Sequence, residues 1–156
     1  MGRAIYVSSV NGDDANSGYA PEKAFRSLRK VNQMEIQPGD QILLERGSVF
    51  VGEYLHLYRG GTKEAPVVVD AYGEGALPRI ETDGNGIWYQ NYGGHLDNVV
   101  HTWKGYLSSA VLLYDAEYIS IRNLEITNNP CVKNERLNQA DRMNRTGVSV
   151  IVKNHG

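Results

Sequence analysis

The chain has 156 residues and a formal net charge of −2, which suits a single domain and excludes a strongly basic surface for nucleic acid. Its one cysteine, Cys131, excludes an intrachain disulfide, and its longest apolar runs are far too short to span a membrane. Glycine (17) and tyrosine (10) are abundant while phenylalanine (2) is scarce. This composition is typical of turn-rich β proteins.

The first 40 residues predict a cap. Residues 5–7 form a short apolar strand, and residues 11–18 are rich in the turn formers Asn, Asp, Ser and Gly. Pro21 suits the first position of a helix, and Phe25, Leu28 and Val31 follow at helical spacing. Pro38 and Gly39 end this helix. We expect its apolar stripe to cover the open end of the structure that follows.

From residue 41 onward the pattern is β, and its most informative stretch is residues 118–128. Ile119 and Ile121 share one face of a strand, whereas Leu124 and Ile126 alternate one residue out of phase. A corner at Asn123 restores a common inward direction, because asparagine tolerates the left-handed backbone. We therefore expect all four side chains to enter one core, with a left-handed residue at or next to Asn123. The other clear strands are residues 41–44, 66–69, 79–80, 111–113 and 148–152.

The order strand, corner, strand occurs twice along the chain. Residues 66–70 and 79–80 match residues 118–122 and 124–127. Such repetition is typical of a solenoid, in which each coil buries its inward side chains against the next. We predict a cap over residues 1–40 and coils over residues 41–156, with insertions near residues 83–109 and 129–146.

Several stretches resemble a known family. Residues 6–8 and 11–18, followed by Pro21 and residues 24–28, resemble the beginning of pectate-lyase-like β-helix proteins, and residues 38–44 and 71–75 resemble their next coils. The resemblance implies an all-β, right-handed parallel β-helix with an N-terminal capping α-helix. It also implies that the chain is a truncated, N-terminal part of that domain, since catalytic groups of the family generally lie on middle coils. It does not choose between lyases, glycoside hydrolases and binding proteins.

The two insertions leave the predicted coils at the same corner, so they are expected to rise side by side. Insertions on one face of a repeat protein mark a binding face, or else they cover exposed apolar surface. Aromatic rings can stack on sugars, and Arg guanidinium groups can bind carboxylates through two hydrogen bonds. Alternatively, the rings pack the insertion against the coils and the charged side chains are simply solvated. The candidate substrate-binding residues are Trp88, Tyr92, Trp103, Arg136 and Arg142.

No catalytic residue or metal site can be named from the sequence. The Asp13-Asp14 cluster is interpreted as a turn, because a calcium loop starting at Asp14 would place Phe25 where a bidentate Glu is needed. No cofactor is evident, and calcium is left open for the larger enzyme. The remaining acids and histidines show no pairing or ligand spacing; they include Glu81, Asp83, Asp97, Asp115, Glu125, His56, His95, His101 and His155.

The sequence thus predicts a fragment of a secreted, periplasmic or cell-envelope bacterial protein that handles polysaccharide or oligosaccharide. The leading hypothesis is a polysaccharide lyase or glycoside hydrolase acting on an acidic plant or host glycan, with this chain inactive by itself. The alternatives are a non-catalytic glycan-binding or surface β-helix, and a purely structural cap. No nucleic acid partner or membrane span is expected. The C-terminal end is expected either to fray beyond about residue 148 or to associate with the same end of a second copy, because residues 148–152 have no following coil to cover them.

Overall fold

The protein is described by a computed structural model, which covers residues 2–91, 104–129 and 144–154. Within these ranges the chain is almost entirely β, with one 3-10 helix, Pro21–Lys23, and one short α-helix, α1, Leu28–Asn32. The expected all-β class is therefore confirmed. In chain order the strands are β1 Ala4–Val7, β2 Gln41–Glu45, β3 Val49–Val51, β4 Leu55–Leu57, β5 Val67–Tyr72, β6 Arg79–Glu81, β7 Ile87–Asn91, β8 Lys104–Tyr114, β9 Ile119–Ile121, β10 Glu125–Thr127 and β11 Asn144–Ile151.

The strands form three sheets whose main ladders are parallel. Sheet A has the order β1-β2-β5-β9, sheet B the order β3-β6-β10 and sheet C the order β4-β8-β11. The chain visits A, B and C in turn three times, and we call these passages circuit 1 (β2, β3, β4), circuit 2 (β5, β6, β8) and circuit 3 (β9, β10, β11). The predicted match between the two strand–corner–strand segments is confirmed, because β5 pairs with β9 and β6 pairs with β10.

The third sheet is a correction to the sequence interpretation. Residues 111–113 and 148–152 were expected to begin new coils, but β8 and β11 follow sheet B within the same circuit. An apolar run flanked by long insertions carries no signal that tells the end of one repeat from the start of the next. Each circuit therefore has three strands, and not the two that a single Asn corner indicates.

The core is a stack of side chains at equivalent positions of successive strands. In-register parallel pairing places like residues above one another, so each inward position becomes an apolar ladder. Most members of these ladders are fully buried, and those of circuit 3 are partly exposed because no further strand pairs beyond them in the described residues. Representative ladders are Ile5–Ile42–Val69–Ile121 in sheet A, Phe50–Ile80–Ile126 in sheet B and Leu55–Val111–Val148 in sheet C.

The helix predicted to begin at Pro21 and to end at Pro38 is wrong in extent, because only Pro21–Lys23 and Leu28–Asn32 are helical. Phe25 is extended and bridges Val7, with its amide N–H donating to the carbonyl of Tyr6 at 2.9 Å. This pairing ends the 3-10 helix, and α1 begins only at Leu28. The expected apolar stripe is nevertheless buried, since Phe25, Leu28 and Val31 all belong to the main core cluster. The capping segment therefore works through a short helix and an extended residue together.

The Asn123 corner is confirmed. Asn123 has φ 56°, in the left-handed region, and its side-chain amide donates to Asp70 Oδ1 at 2.8 Å. Arg122 Nε donates to the other oxygen of Asp70 at 2.6 Å, so one carboxylate of circuit 2 holds the corner of circuit 3. The four side chains named above, at positions 119, 121, 124 and 126, all pack against the same core.

Substitution of Asn123 tests how much this backbone conformation costs. At positive φ, a residue that has a Cβ but no side-chain hydrogen bond to the local backbone is strained by about 1–2 kcal/mol. Glycine has no Cβ and is not strained there. We therefore expect Asn123→Ala to be less stable than Asn123→Gly by about 1 kcal/mol, measured by urea unfolding. Both variants lose the bond to Asp70, so equal stabilities would show that the corner is not strained.

Candidate functional site

Both insertions leave the circuits at one place, the connection from sheet B to sheet C, which we call the B–C corner. In circuit 1 this connection is only residues 52–54, whereas it is residues 82–103 in circuit 2 and 128–143 in circuit 3. The expectation of a shared corner is confirmed. The bases of the insertions are joined, because Asn128 Oδ1 accepts the Gly84 N–H at 2.8 Å and Asn128 Nδ2 donates to the Thr146 carbonyl at 3.0 Å.

The first insertion begins and ends as a β-hairpin. Strand β7 pairs antiparallel with the first part of β8, in a register that sets Trp88 opposite Leu107 and Tyr89 opposite Tyr106. This pairing explains why β8 is longer than the predicted strand at residues 111–113. The hairpin carries aromatic side chains that belong to two separate ring pairs.

Trp88 lies in the first pair. Its ring is half-buried and stands 5.1 Å from the Tyr114 ring, which in turn lies 6.0 Å from Tyr58. Leu112 is completely buried although it lies outside the main core cluster, so the outer face of sheet C is covered here. Trp88 packs on Tyr114, which shares a face of β8 with Leu112. This is the packing alternative; contact of Trp88 with a ligand stays a prediction.

Tyr89 and Tyr106 form the second pair, and they are open to solvent. Their rings are 5.0 Å apart, with 47% and 65% of the two residues exposed. Both rings lie in the first predicted insertion, but the sequence could not show that they form a pair, because only the antiparallel register brings residues 17 positions apart into contact. The other candidate binding residues, Tyr92, Trp103, Arg136 and Arg142, lie outside the described residues.

A cleft of about 310 Å³ lies at the B–C corner of circuit 1, beside α1. Its lining residues are Ser27, Arg29, Asn32, Gly52, Glu53 and Tyr54. Glu53 accepts the N–H of Leu28 at 2.6 Å and so holds the first turn of α1. Burial raises the pKa of Glu53, although amide donors from Leu28 and Arg29 act in the opposite direction. No spacing in the sequence pointed to this group.

The acids considered from the sequence have structural partners. Arg79 pairs with both Glu81, at 3.3 Å, and Glu125, at 3.6 Å, on the outer face of sheet B. Asp83 accepts a bond from Asn129 at 3.2 Å, and Asp115 accepts two backbone N–H groups of residues 153 and 154. These bonds engage the four carboxylates in contacts within the fold. Asp97 lies outside the described residues.

The interpretation of Asp13-Asp14 as a turn is confirmed. Asp13 Oδ1 accepts the Ala15 N–H, while Asp14 accepts the N–H groups of Arg26 and Ser27 and the Ser27 hydroxyl. No group of three or more His, Cys, Asp or Glu side chains in ranges 2–91, 104–129 and 144–154 could hold a metal ion. Across the same ranges, no helix is both long and apolar enough to cross a membrane.

No protein-family model matches the chain. Over 98% of its length, the chain is 37% identical to lacto-N-biosidase of Bifidobacterium longum subsp. longum, of which it covers 11%. It is 54% identical to the GH136 lacto-N-biosidase of Eubacterium ramulus, whose selenomethionine crystal structure matches the whole chain with a TM-score of 0.90. The native crystal structure matches 94% of the chain with a TM-score of 0.84. Both enzymes are lacto-N-biosidases. The chain spans about a quarter or less of their lengths, 25% and 23% for the two crystal structures.

The expected membership of the pectate-lyase-like superfamily is wrong. The sequence and structural relatives at 37% and 54% identity are lacto-N-biosidases. A rhamnogalacturonan lyase matches 79% of the chain at only 14% identity with a TM-score of 0.51, and so shares the fold alone. The residues behind the resemblance serve turns and the cap, as Asp14 and Gly39 illustrate. Such residues indicate backbone geometry rather than family, and neither a lyase reaction nor an acidic plant glycan has support.

Proposed function

We propose that this chain is part of a glycoside hydrolase of the lacto-N-biosidase kind that acts on an oligosaccharide. The observation that carries the proposal is the 54% identity to a lacto-N-biosidase with a TM-score of 0.90 over the whole chain. A fold alone supports many activities, so the proposal rests on the sequence identity and not on the shared fold. We also propose that the protein is secreted or held in the periplasm or cell envelope.

We further propose that the chain forms one domain, a right-handed parallel solenoid. Residues 1–40 are its cap and residues 41–156 its coils, with insertions near residues 83–109 and 129–146. Support comes from the three circuits, which stack strand on strand in register in all three sheets. Strand–crossover–strand connections in parallel sheets are overwhelmingly right-handed.

Within that enzyme, the insertions are proposed to contact the glycan. Trp88, Tyr92, Trp103, Arg136 and Arg142 are the proposed substrate-binding residues. The exposed Tyr89–Tyr106 pair supports this role, because the apolar face of an exposed aromatic ring can stack on a sugar. The alternative is a non-catalytic glycan-binding segment, which the exposed Tyr89–Tyr106 pair would suit equally well.

A chimera tests the proposed function. The matching segment of the Eubacterium ramulus enzyme is replaced by residues 1–156, and hydrolysis of a chromogenic lacto-N-bioside is measured. We expect activity within about tenfold of the parent enzyme, and none from the chain alone. The matched control carries the corresponding segment of the rhamnogalacturonan lyase and should be inactive. A chimera that unfolds cooperatively but lacks activity would contradict the proposal, and activity of the chain alone would assign the catalytic groups to these residues.

Self-association is also proposed for the isolated chain. Val148 and Val150 continue the inward ladders of Val111 and Leu113, yet they are 48% and 63% exposed. The strands of circuit 3 are edge strands among the described residues, and such edges pair with other chains. We expect the sedimentation coefficient to rise between micromolar and near-millimolar protein. Val150→Lys should abolish the rise, while Val51→Lys, at an equally exposed outer position (66%), should not. A monomer throughout, with residues 148–152 protected from hydrogen exchange, would refute this.

A further inference from the structure

We propose that the cleft between α1 and the B–C corner of circuit 1 is a subsite for one neutral sugar unit of an oligosaccharide. Its ligand class rests on the proposed function, whereas its location rests on the geometry of the cleft alone. At about 310 Å³, the cleft lies at the lower end of the range of about 300–1,000 Å³ typical of small-molecule sites. That size suits a single pyranose unit and not a longer segment.

The lining of the cleft combines a donor, an acceptor and an aromatic ring. The Glu53 carboxylate is fixed by the Leu28 N–H at 2.6 Å, so its position does not have to be ordered by a ligand. Arg29 is 75% exposed in its side chain and makes only a long, 3.7 Å, contact with Asp14. A guanidinium has five N–H donors, so most of them face solvent. The fixed Glu53 carboxylate can accept a hydrogen bond from one hydroxyl group of a pyranose, and the Arg29 guanidinium can donate to a neighbouring one.

Tyr54 provides the ring, and Asn32 fixes the backbone of Tyr54 and His56. Asn32 Nδ2 donates to the Tyr54 carbonyl at 2.9 Å, and Asn32 Oδ1 accepts the His56 N–H at 2.9 Å. The Tyr54 ring also lies 4.5 Å from the His56 ring. Asn32 is therefore a positioning residue, since its amide is already engaged. An aromatic ring held in this way can stack on the apolar face of a sugar.

The cleft lies at the foot of the aromatic hairpin. Thr82, the residue after β6, donates its hydroxyl to the Glu53 carbonyl at 2.7 Å. A Cβ placed on Gly86, just before β7, would stand 3.0 Å from Cβ of Tyr54. The connection of circuit 1 itself is only three residues long here, so it forms one side of the cleft without covering it. An oligosaccharide that contacts the hairpin could therefore place a neighbouring unit in the cleft.

The charges at the cleft favour a neutral sugar over an acidic one. The carboxylates of Asp14 and Glu53 both act on Arg29, and together they outnumber its single positive charge. A uronic acid would bring a third carboxylate to this site and meet net repulsion. Hydroxyl groups of a neutral sugar can instead bond to both signs of charge.

The test uses the 156-residue chain, ¹⁵N-labelled, titrated with methyl β-galactoside, methyl N-acetyl-β-glucosaminide and glucuronic acid. We expect saturable amide shifts at residues 27–29 and 52–54 with at least one neutral sugar, and binding of glucuronic acid at least about tenfold weaker. Arg29→Ala and Tyr54→Leu should each weaken binding by about tenfold. Arg59→Ala is the matched control, because Arg59 is 67% exposed and pairs with Glu35 outside the cleft. It should leave binding unchanged.

Arg29 is exposed, so its replacement should not affect folding; melting curves of Arg29→Ala verify this. Shifts confined to the hairpin residues Tyr89 and Tyr106, or binding unchanged in Arg29→Ala, would overturn the subsite. Stronger binding of glucuronic acid would overturn the neutral specificity. An active chimera without sugar binding at residues 27–29 and 52–54 refutes the subsite and leaves the proposed function intact. Sugar binding at these residues together with an inactive chimera would refute the proposed function and leave the subsite intact.

Discussion

Replacing Leu28 by alanine is expected to lower the free energy of unfolding by about 2–5 kcal/mol. Leu28 is completely buried and belongs to the main core cluster, in which α1 closes the structure beside β4. The loss combines the removed apolar contacts with the cavity that remains, because the strands around the site are fixed by their ladders and cannot collapse into it. Urea or thermal unfolding of the two proteins measures the difference.

Leu77→Ala is the matched control for this prediction. Leu77 is 43% exposed in the connection between β5 and β6, so the same change there should cost no more than about 0.5 kcal/mol. A loss below that value at Leu28 would mean that α1 is not part of the cooperative core. In that case α1 would also not form a stable side of the cleft.

Replacing Asp40 by alanine is expected to cost about 3 kcal/mol. The Asp40 side chain is fully buried and accepts the Arg3 N–H at 2.8 Å, the Gln37 N–H at 2.9 Å and the Arg3 guanidinium at 2.5 Å. These bonds hold the residue before β1, the segment after α1 and the start of β2 together. Without the carboxylate, backbone donors at the join would have no partner. Chemical unfolding at pH 7 measures the loss.

The pH dependence gives a second measurement on Asp40. Burial by itself would raise the pKa of Asp40, but the bonds from Arg3 and Gln37 outweigh it and lower the pKa below its ordinary value of 3.8. A lowered pKa in the folded state gives stability that is present above the ordinary value and is lost as pH falls through the folded value. Asp40→Ala should therefore show a smaller loss of stability below pH 3.8 than the parent protein.

Asp13→Ala is the control, since Asp13 is exposed and its carboxylate accepts a single N–H, from Ala15. It should change stability by no more than about 1 kcal/mol. Equal losses for Asp13→Ala and Asp40→Ala would show that the buried join between the cap and the first circuit does not support the fold.

The sequence alone determined the repeating β architecture and its Asn corner. The phase shift between Ile121 and Leu124 has one simple solution, a left-handed residue between them, and Asn123 is suited to that conformation. The stacking of residues 66–70 on 118–122 followed from the same local pattern, because equivalent strands of a solenoid carry equivalent side chains. These features depend on neighbouring residues only, and local patterns are what a single sequence reports.

Tertiary contacts decided what the local pattern left ambiguous. Phe25 continues a helical stripe in the sequence, but the free edge of Val7 offers it strand pairing, so the helix starts three residues later. Val111 and Leu112 are both buried, because one faces the core while the other lies under cover on the outer face of sheet C. Alternation is therefore lost, and the third sheet could not be recognised from the sequence.

The candidate site depended on tertiary structure most of all. Arg29 and Glu53 lie 24 positions apart, and only the packing of α1 against circuit 1 brings them to one cleft. The exposed tyrosine pair likewise exists only through the register of β7 and β8. The sequence determined which residue types were present, such as the rings and the Arg forks. The fold decides which of these residues come into contact, because long-range packing and strand register have no local signature in the sequence.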